Sequence, residues 1–312
     1  MDERDLGRDG SKAFEPQEPC SQPFHASALD ECASPIVIAA PHGGRHYEAA
    51  VLAEMRDPDV ARLRLEDRYV DLLAEAVAEQ CGAAVVVARV PRAVIDLNRA
   101  PDDIDWSMIS GSRPKSVRHS LSNRRARSGL GIIPRRVPGH GEVWRGPVSV
   151  AELEQRVATV HRPYHTHLSS VLEALRDRWG AALLIDLHSM PPLRKRFADE
   201  IPAEFVIGDR FGASCDHHLV ANALQHLGDR GKAVAHNRPY SGGYVLDRHG
   251  SPARGIHAMQ IEVCRSSYLC ANLEEPSARF QSVVRLLAGL MRVLADEVAF
   301  MGRERTLPNA AE

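Results

Sequence analysis

Short, continuous apolar runs recur along the chain and are separated by longer stretches with a different spacing of apolar residues. In the first three runs nearly every position is apolar, which predicts strands that are covered on both faces, as in a parallel or mixed sheet. A shorter run and one with an embedded glutamate predict two further strands. In chain order the runs are PIVIAAP (35–41), AAVVVARV (83–90), AALLIDLHS (181–189), EFVIGD (204–209) and HAMQIEV (257–263).

The stretches between these runs have the spacing of amphipathic helices. Residues 57–82 predict a helix that ends at Gly82, and residues 274–300 predict a long C-terminal helix. Ser149 and Glu152 form an S-x-x-E capping box at the start of another helix, which Pro163 must kink or interrupt. Alternating strands and helices predict an α/β fold, with a mixed, largely parallel twisted sheet and helices on both faces.

The chain divides by composition into one large unit and two tails. Residues 1–33 are polar and acidic and predict a disordered or loosely attached tail, and residues 305–312 predict a second short tail. Residues 34–304 predict a single α/β domain. Within it, residues 101–147 are rich in Gly, Ser, Pro and Arg without a sustained period, which predicts an irregular insertion that is either a functional flap or partly disordered.

Composition excludes several classes of function. The 39 basic and 41 acidic residues give a net charge of −2, which argues against a protein that grips nucleic acid or an anionic membrane. The six cysteines show no paired spacing and predict reduced thiols rather than a disulfide framework. No apolar run approaches the roughly 18 residues of a membrane span, and the first thirty residues lack the apolar core of a signal peptide. We therefore expect a cytoplasmic protein.

Polar residues stand at the ends of the predicted strands, where ligands collect in open α/β sheets. A glutamate within an apolar strand needs a cation, a metal or a catalytic task, because burying an unpaired carboxylate is costly. Two histidines, several carboxylates and arginines at one sheet edge suit a mononuclear zinc hydrolase, in which imidazoles and a carboxylate bind the metal. These residues are His42, Arg92, Asp96, Asn98, Arg99, Asp186, His188 and Glu262.

The order of these motifs resembles the N-formylglutamate amidohydrolase family, within the zinc carboxypeptidase and aspartoacylase superfamily. Any one segment is a weak signal, but together, in one order, they are strong, and the resemblance extends from about residue 35 to residue 300. The matching segments are PHGG (41–44), RAVIDLNRAPDD (92–103), GLGIIPR (129–135), HRPYHTHL (161–168), LLIDLHSMPP (183–192), VIGDRFGASCD (206–216), AHNRPYSGGYVLDRHG (235–250) and HAMQIEVCRSSYL (257–269).

The resemblance implies a role for each candidate. His42 and His188 match the two imidazole ligands of one Zn²⁺ per chain, and Glu262 matches the general base that later protonates the departing amine. Asn98 and Arg99 match the pair that holds the substrate carboxylate. The remaining candidates are Arg92 for the oxyanion, and Tyr240 or Tyr244 for a hydroxyl contact to the substrate.

The chain departs from the superfamily at the third metal ligand. The wider superfamily uses H-x-x-E, but Arg45 occupies the fourth position here, and a guanidinium does not bind zinc. We prefer Asp67 as the missing carboxylate. In one regular helix Asp67 and Asp71 would share a face, and Glu66 would be rotated by about 100°. Glu66, Asp71 and His46 remain alternatives.

The resemblance implies zinc-dependent hydrolysis of N-formyl-L-glutamate, or of a similar N-acyl acidic amino acid, as in the last step of histidine degradation. The expected partner is this small molecule, with no nucleic acid and no membrane. A peptidoglycan amidase is the first alternative. A non-enzymatic RNA-binding protein that uses the basic residues of 113–136 is the second, and it leaves the buried glutamate unexplained. The sequence leaves the oligomeric state open.

Overall fold

The structure is a computed structural model that describes residues 21–111, 124–137, 139–195, 197 and 199–306. Its centre is a seven-stranded sheet, and the strands of this sheet are β1 (Phe24–Ala26), β2 (Ile36–Ala40), β3 (Ala84–Ala88), β8 (Ala182–Met190), β9 (Phe205–Gly208), β10 (Val234–His236) and β11 (Ile256–Cys264). Their order in the sheet is β1-β3-β2-β8-β11-β9-β10. Two small ladders pair β4 (Ile109–Ser110) with β7 (Val148–Ser149) and β5 (Arg136–Val137) with β6 (Gly141–Glu142).

Most neighbours in the central sheet are parallel. The pairs β3–β2, β2–β8, β8–β11 and β9–β10 are parallel, whereas β1–β3 and β9–β11 are antiparallel. The prediction of a mixed, largely parallel sheet is therefore confirmed. All five predicted strands lie within two residues of their expected ends, because continuous burial leaves the strong apolar signal of a strand covered on both faces.

Helices cover both faces of the sheet. The helices are α1 (Ala49–Glu54), α2 (Pro58–Leu65), α3 (Val70–Cys81), α4 (Arg124–Arg127), α5 (Val150–Arg156), α6 (Arg162–Trp179), α7 (His217–Gly228), α8 (Tyr244–His249), α9 (Arg265–Tyr268) and α10 (Phe280–Thr306). One face of the sheet packs against α3, α7 and α10, and the other packs against α6 and α8. Single 3₁₀ turns span Leu29–Glu31 and Pro252–Arg254.

The segment 57–82 forms two helices rather than the single helix that its spacing predicts. Helix α2 ends at Leu65 and α3 begins at Val70. Tyr69 between them adopts a left-handed backbone with φ of 57°. The amide of Asp67 donates to the carbonyl of His42 at 3.1 Å instead of continuing a helix. A tertiary hydrogen bond of this kind leaves no mark on the apolar spacing, so the break was missed.

The expected helix start at Ser149 is confirmed, since its hydroxyl accepts a hydrogen bond from the amide of Glu152 at 3.1 Å. A π-helical turn over Val157–His161 separates α5 from α6. Pro163 falls in the first turn of α6, directly after this π-helical turn, so the interruption expected from a proline without an N–H lies where the helix changes its hydrogen-bonding pattern.

The edges of the domain differ in part from the compositional boundaries. Phe24–Ala26 forms the edge strand β1 within the expected N-terminal tail, and it is too short for a pattern to reveal. Parts of 101–147 pack into a separate apolar cluster that buries Ile132 and Trp144. Residues 1–20, 112–123 and 307–312, which hold most of the predicted tails and the first part of the basic segment 113–136, lie outside the described residues. None of the helices that the structure describes could span a membrane.

Candidate metal and active site

His42 enters the site from a tight turn at the end of β2. The two glycines that follow are needed for close packing rather than for a left-handed backbone. A Cβ atom at Gly44 would lie 2.1 Å from the carbonyl oxygen of Val90, and one at Gly43 would lie 2.9 Å from the backbone nitrogen of Asp71. The chain can therefore turn here, between β3 and α3, only without side chains.

His188 and Glu262 come from neighbouring strands at one level of the sheet. β8 and β11 pair in parallel, with His188 opposite Glu262 and Asp186 opposite Gln260. Side chains two residues apart on a strand share a face, so these four project toward the side of α6 and α8. Toward the other end of the strands the same face carries Leu184 and Ala258, which belong to the apolar core. The polar site thus continues the core at the carboxyl ends of the strands.

Asp67 reaches the site through the break between α2 and α3. The side chain of Arg265, at the start of α9, fixes this break by donating to the carbonyls of Leu63 and Glu66 and lying 3.4 Å from Oδ1 of Asp67. The other oxygen, Oδ2, lies 2.8 Å from Nδ1 of His188 and 3.6 Å from Nδ1 of His42. Three buried ligand atoms of the types that bind zinc converge here, and the site can hold a metal ion.

A carboxylate also holds the far nitrogen of each imidazole. Nε2 of His42 lies 2.7 Å from Oδ1 of Asp96, and Nε2 of His188 lies 3.0 Å from Oδ2 of Asp186. Metal-binding histidines usually donate the N–H of the free ring nitrogen to such a group, which fixes the ring and its tautomer. The Nδ1 atoms of both rings are thereby left to face Asp67.

The electrostatics of the cluster favour positive charge. Burial disfavours the ionised carboxyl of Asp67, but hydrogen bonds from His188 and His42 outweigh it and lower its pKa. Burial also disfavours a charged His188, but the carboxylates of Asp186 and Asp67 raise its pKa well above the usual value. Arg92 and His42 similarly outweigh burial at Asp96 and lower its pKa. The cluster is built to keep its carboxylates ionised around a cation.

Glu262 behaves differently from these aspartates. Burial raises its pKa to about 7, and the negative charges of Asp67 and Asp186 act in the same direction, against the opposing effect of His188. Gln260 donates to its Oε1 at 2.8 Å, which orients the carboxyl group. A carboxyl group with this pKa both accepts and releases a proton near neutral pH, as a general acid–base group must.

A cavity of about 190 Å³ opens onto these groups. Tyr240, Ser241 and the pair Gly242–Gly243 form one side of it. Four arginines also line it among the described residues, and they are Arg64, Arg92, Arg99 and Arg265. Most of the wall is polar, and its cationic groups suit a small anionic ligand.

The structure brings most of the predicted site residues to this cavity. His42, Asp67, Arg92, Asn98, Arg99, His188, Tyr240 and Glu262 all line it. Tyr244 does not, and its ring packs against His161 and His165 instead. The cause is the start of α8 at Tyr244, which turns the chain away from the cavity.

The three alternatives to Asp67 lie elsewhere. Asp71 accepts two hydrogen bonds from Arg45, and Glu66 pairs with Arg68 at 3.1 Å. His46, Arg45 and Asp71 line a second cavity behind the cluster. Arg45, which occupies the position of the superfamily glutamate, thus points away from the candidate metal site.

Sequence reasoning assigned no role to Arg64 or Arg265, although both line the cavity. Arg265 follows the strand that carries Glu262, so its place at a strand end was a usable signal. Arg64 lies in a helix whose apolar spacing gave no reason to single it out.

The fold and the site define an α/β protein with a buried His–His–Asp cluster beside a buried glutamate at the sheet edge. The family model of N-formylglutamate amidohydrolase matches residues 34–269. The chain therefore belongs to the N-formylglutamate amidohydrolase family of hydrolases.

Similar proteins agree with this assignment. An N-formylglutamate deformylase of Pseudomonas putida is 30% identical over 287 residues, covering 90% of this chain and 97% of the relative. One of Pseudomonas aeruginosa is 28% identical over 273 residues, covering 87% and 95%. The crystal structure of an N-formylglutamate amidohydrolase from Ralstonia eutropha JMP134 has a TM-score of 0.79 and 32% identity, covering 89% of this chain and 99% of the other.

Proposed function

We propose that this protein hydrolyses the amide bond of N-formyl-L-glutamate and releases formate and glutamate, with one Zn²⁺ per chain. The observation that carries the proposal is the convergence of His42, Asp67, His188 and Glu262 in one small cavity lined by arginines. The similarity to two N-formylglutamate deformylases supports the choice of substrate. The reaction would suit the last step of a histidine-degradation route.

The residues present fit a zinc ion. His42, His188 and Asp67 offer two imidazole nitrogens and a carboxylate oxygen, and the far ring nitrogens are held by Asp96 and Asp186. Zinc in such a site polarises a substrate carbonyl and lowers the pKa of water. The three residues would hold the ion, and no second set of three buried ligand atoms converges as closely in the described part of the chain.

Glu262 moves the proton in the proposed reaction. Its carboxylate takes a proton from the attacking water, and the same oxygen then gives that proton to the nitrogen of the departing glutamate. Gln260 keeps Glu262 oriented during both transfers. Arg92 lines the cavity and is the candidate that stabilises the negative oxygen of the tetrahedral intermediate.

The arginines that line the cavity differ in whether their side chains already form hydrogen bonds within the protein. Arg92 donates to Asp96, and Arg265 donates to backbone carbonyls beside Asp67. Arg99 donates to the carbonyls of Leu130 and Asn98. Within the described residues the side chain of Arg64 forms no hydrogen bond or ion pair, and it is exposed at the cavity wall. We therefore assign Arg64, together with Asn98, Arg99 and Tyr240, to binding of the substrate and give Arg64 the side-chain carboxylate.

Arg64→Ala should raise KM for N-formyl-L-glutamate by about tenfold or more, because a charge-assisted hydrogen bond contributes roughly 1.5–3 kcal/mol. The value of kcat should change little, since the side-chain carboxylate of the substrate takes no part in breaking the amide bond. KM for the neutral N-formyl-L-glutamine should stay the same. Steady-state kinetics of formate release with both substrates measure this difference.

Arg89→Ala is the matched control, because Arg89 is also exposed but lines the second cavity. It should leave both KM values unchanged. An equal loss for the acid and the amide substrate in Arg64→Ala would show that Arg64 does not recognise the carboxylate.

The substrate proposal is tested by a screen of formate and amine release from N-formyl, N-acetyl and N-succinyl amino acids with the zinc-loaded protein. N-formyl-L-glutamate should give the highest kcat/KM. If the protein releases no formate from N-formyl-L-glutamate but turns over another compound, that compound replaces it as the proposed substrate. The small cavity argues against a peptidoglycan amidase, since pockets for larger ligands usually span about 300–1,000 Å³.

A further inference from the structure

Three buried histidines lie behind the site, between α6, α8 and the loop after β3. His161 closes the π-helical turn, His165 lies in the first turn of α6, and His249 ends α8. All three are buried, and none of them lines the catalytic cavity. Two of them belong to the segment 161–168, for which the proposed function has no use.

Two of these rings bind the backbone on either side of Asn98. Nε2 of His165 lies 2.9 Å from the carbonyl oxygen of Leu97, and Nε2 of His161 lies 2.9 Å from that of Arg99. A carbonyl oxygen only accepts hydrogen bonds, so both Nε2 atoms carry a proton and donate. The carbonyl groups of the residues before and after Asn98 are thereby fixed.

The third histidine, His249, is the partner of the second ring nitrogen of His165. With Nε2 protonated, Nδ1 of a neutral His165 accepts, and Nε2 of His249 lies 3.0 Å away as the donor. The remaining nitrogen of His249 accepts from the hydroxyl of Ser169 at 3.3 Å. Burial lowers the pKa of His161, His165 and His249, so the rings are neutral and the direction of each bond is set.

Asn98 in turn contacts both carboxylates that hold the metal-site imidazoles. Its backbone amide donates to Oδ1 of Asp96 at 2.8 Å, the oxygen that faces His42. Its side-chain amide lies 3.4 Å from Oδ2 of Asp186, the oxygen that faces His188. The side-chain oxygen accepts from the amide of Val245 at 2.9 Å, in the first turn of α8. One residue therefore links the supports of both imidazoles.

We propose that His161 and His165 are positioning residues that fix Asn98, through which Asp96 and Asp186 hold His42 and His188 in the orientation that binds the metal. This inference rests on the proposed function only in that His42 and His188 bind zinc. It does not depend on which N-acyl compound is hydrolysed.

Leucine and glutamine variants of the two histidines separate positioning from packing. His161→Leu and His165→Leu remove the N–H donor, whereas His161→Gln and His165→Gln can keep a donor at the place of Nε2. The leucine variants should lose about 10- to 100-fold in zinc affinity or kcat, as is typical for residues that orient metal ligands. The glutamine variants should recover most of that loss. Chelator competition measures zinc affinity, and thermal unfolding of the metal-free protein reports stability.

His167→Leu is the control, because His167 lies in the same helix and its ring packs near Phe24. It should keep the zinc affinity of the unchanged protein. A double variant adds a test whose expected result a general loss of stability would not produce. Asn98→Ala removes the side-chain contact with Asp186 and keeps the backbone amide on Asp96. In that background His165→Leu should cause a smaller fold-loss of zinc affinity than in the unchanged protein, because coupled residues are not additive.

Unchanged zinc affinity and kcat in folded leucine variants would overturn the inference, and so would a loss in the glutamine variants as large as in the leucine variants. If a leucine variant fails to fold, the methionine variant of the same histidine, which also lacks the N–H donor, takes its place under the same criteria. Normal zinc results without formate release would overturn the proposed substrate alone.

Discussion

Glu262→Gln should bind zinc as the unchanged protein does and lose about 10²- to 10⁴-fold in kcat, the range for removal of a general acid–base group. The amide has the shape of the carboxyl group and still accepts the hydrogen bond from Gln260. It cannot take a proton from water at neutral pH, so substrate binds but the proton transfers stop. Metal analysis and steady-state formate release on one preparation measure both properties.

The control for this variant is the metal content itself. A Glu262→Gln protein without zinc would mean that the glutamate supports the ion, and its loss of turnover would then say nothing about proton transfer. A kcat within about fivefold of the original, with zinc bound, would remove Glu262 from the mechanism.

His42→Ala and His188→Ala should each abolish stoichiometric zinc, against about one ion per chain in the unchanged protein. Each change removes one of three protein ligand atoms and leaves a carboxylate, Asp96 or Asp186, without its imidazole partner. Metal analysis after dialysis against a weak chelator is the measurement. Asp67→Asn should also lose the ion, because a neutral amide oxygen is a much weaker ligand than a carboxylate.

Asp71→Asn is the matched control for Asp67→Asn. Asp71 lies four residues further along the chain and pairs with Arg45 outside the cluster. It should therefore keep zinc, with some loss of stability from the weakened ion pair. Zinc loss in Asp71→Asn and full zinc in Asp67→Asn would reverse the assignment of the third ligand.

The strands and their polar ends were predictable because burial on both faces leaves a local signal. The runs at 181–189 and 257–263 placed Asp186, His188 and Glu262 at strand ends, and the pairing of β8 with β11 then brings His188 and Glu262 together. The motif order was informative for the same reason, since six of the eight matching segments contain or follow a strand of the central sheet.

The arrangement around these residues was not predictable from local patterns. The helix break that carries Asp67 depends on a backbone hydrogen bond to His42 and on Arg265, which lies far along the chain. The pairing of Asp96 with His42 likewise joins segments that are distant in sequence. Tyr244 lies at the start of a short helix and packs against His161 and His165, a position that local patterns do not reveal.

The break between α2 and α3 makes the third ligand independent of helical phase. A ligand within a helix rotates by about 100° with each residue inserted before it. Asp67 is instead held by its own amide on the carbonyl of His42, so the two residues move together as one unit. Changes in the length or direction of α2 during evolution would leave the distance between these two ligands nearly constant. The surrounding loops can therefore diverge while the cluster keeps its shape.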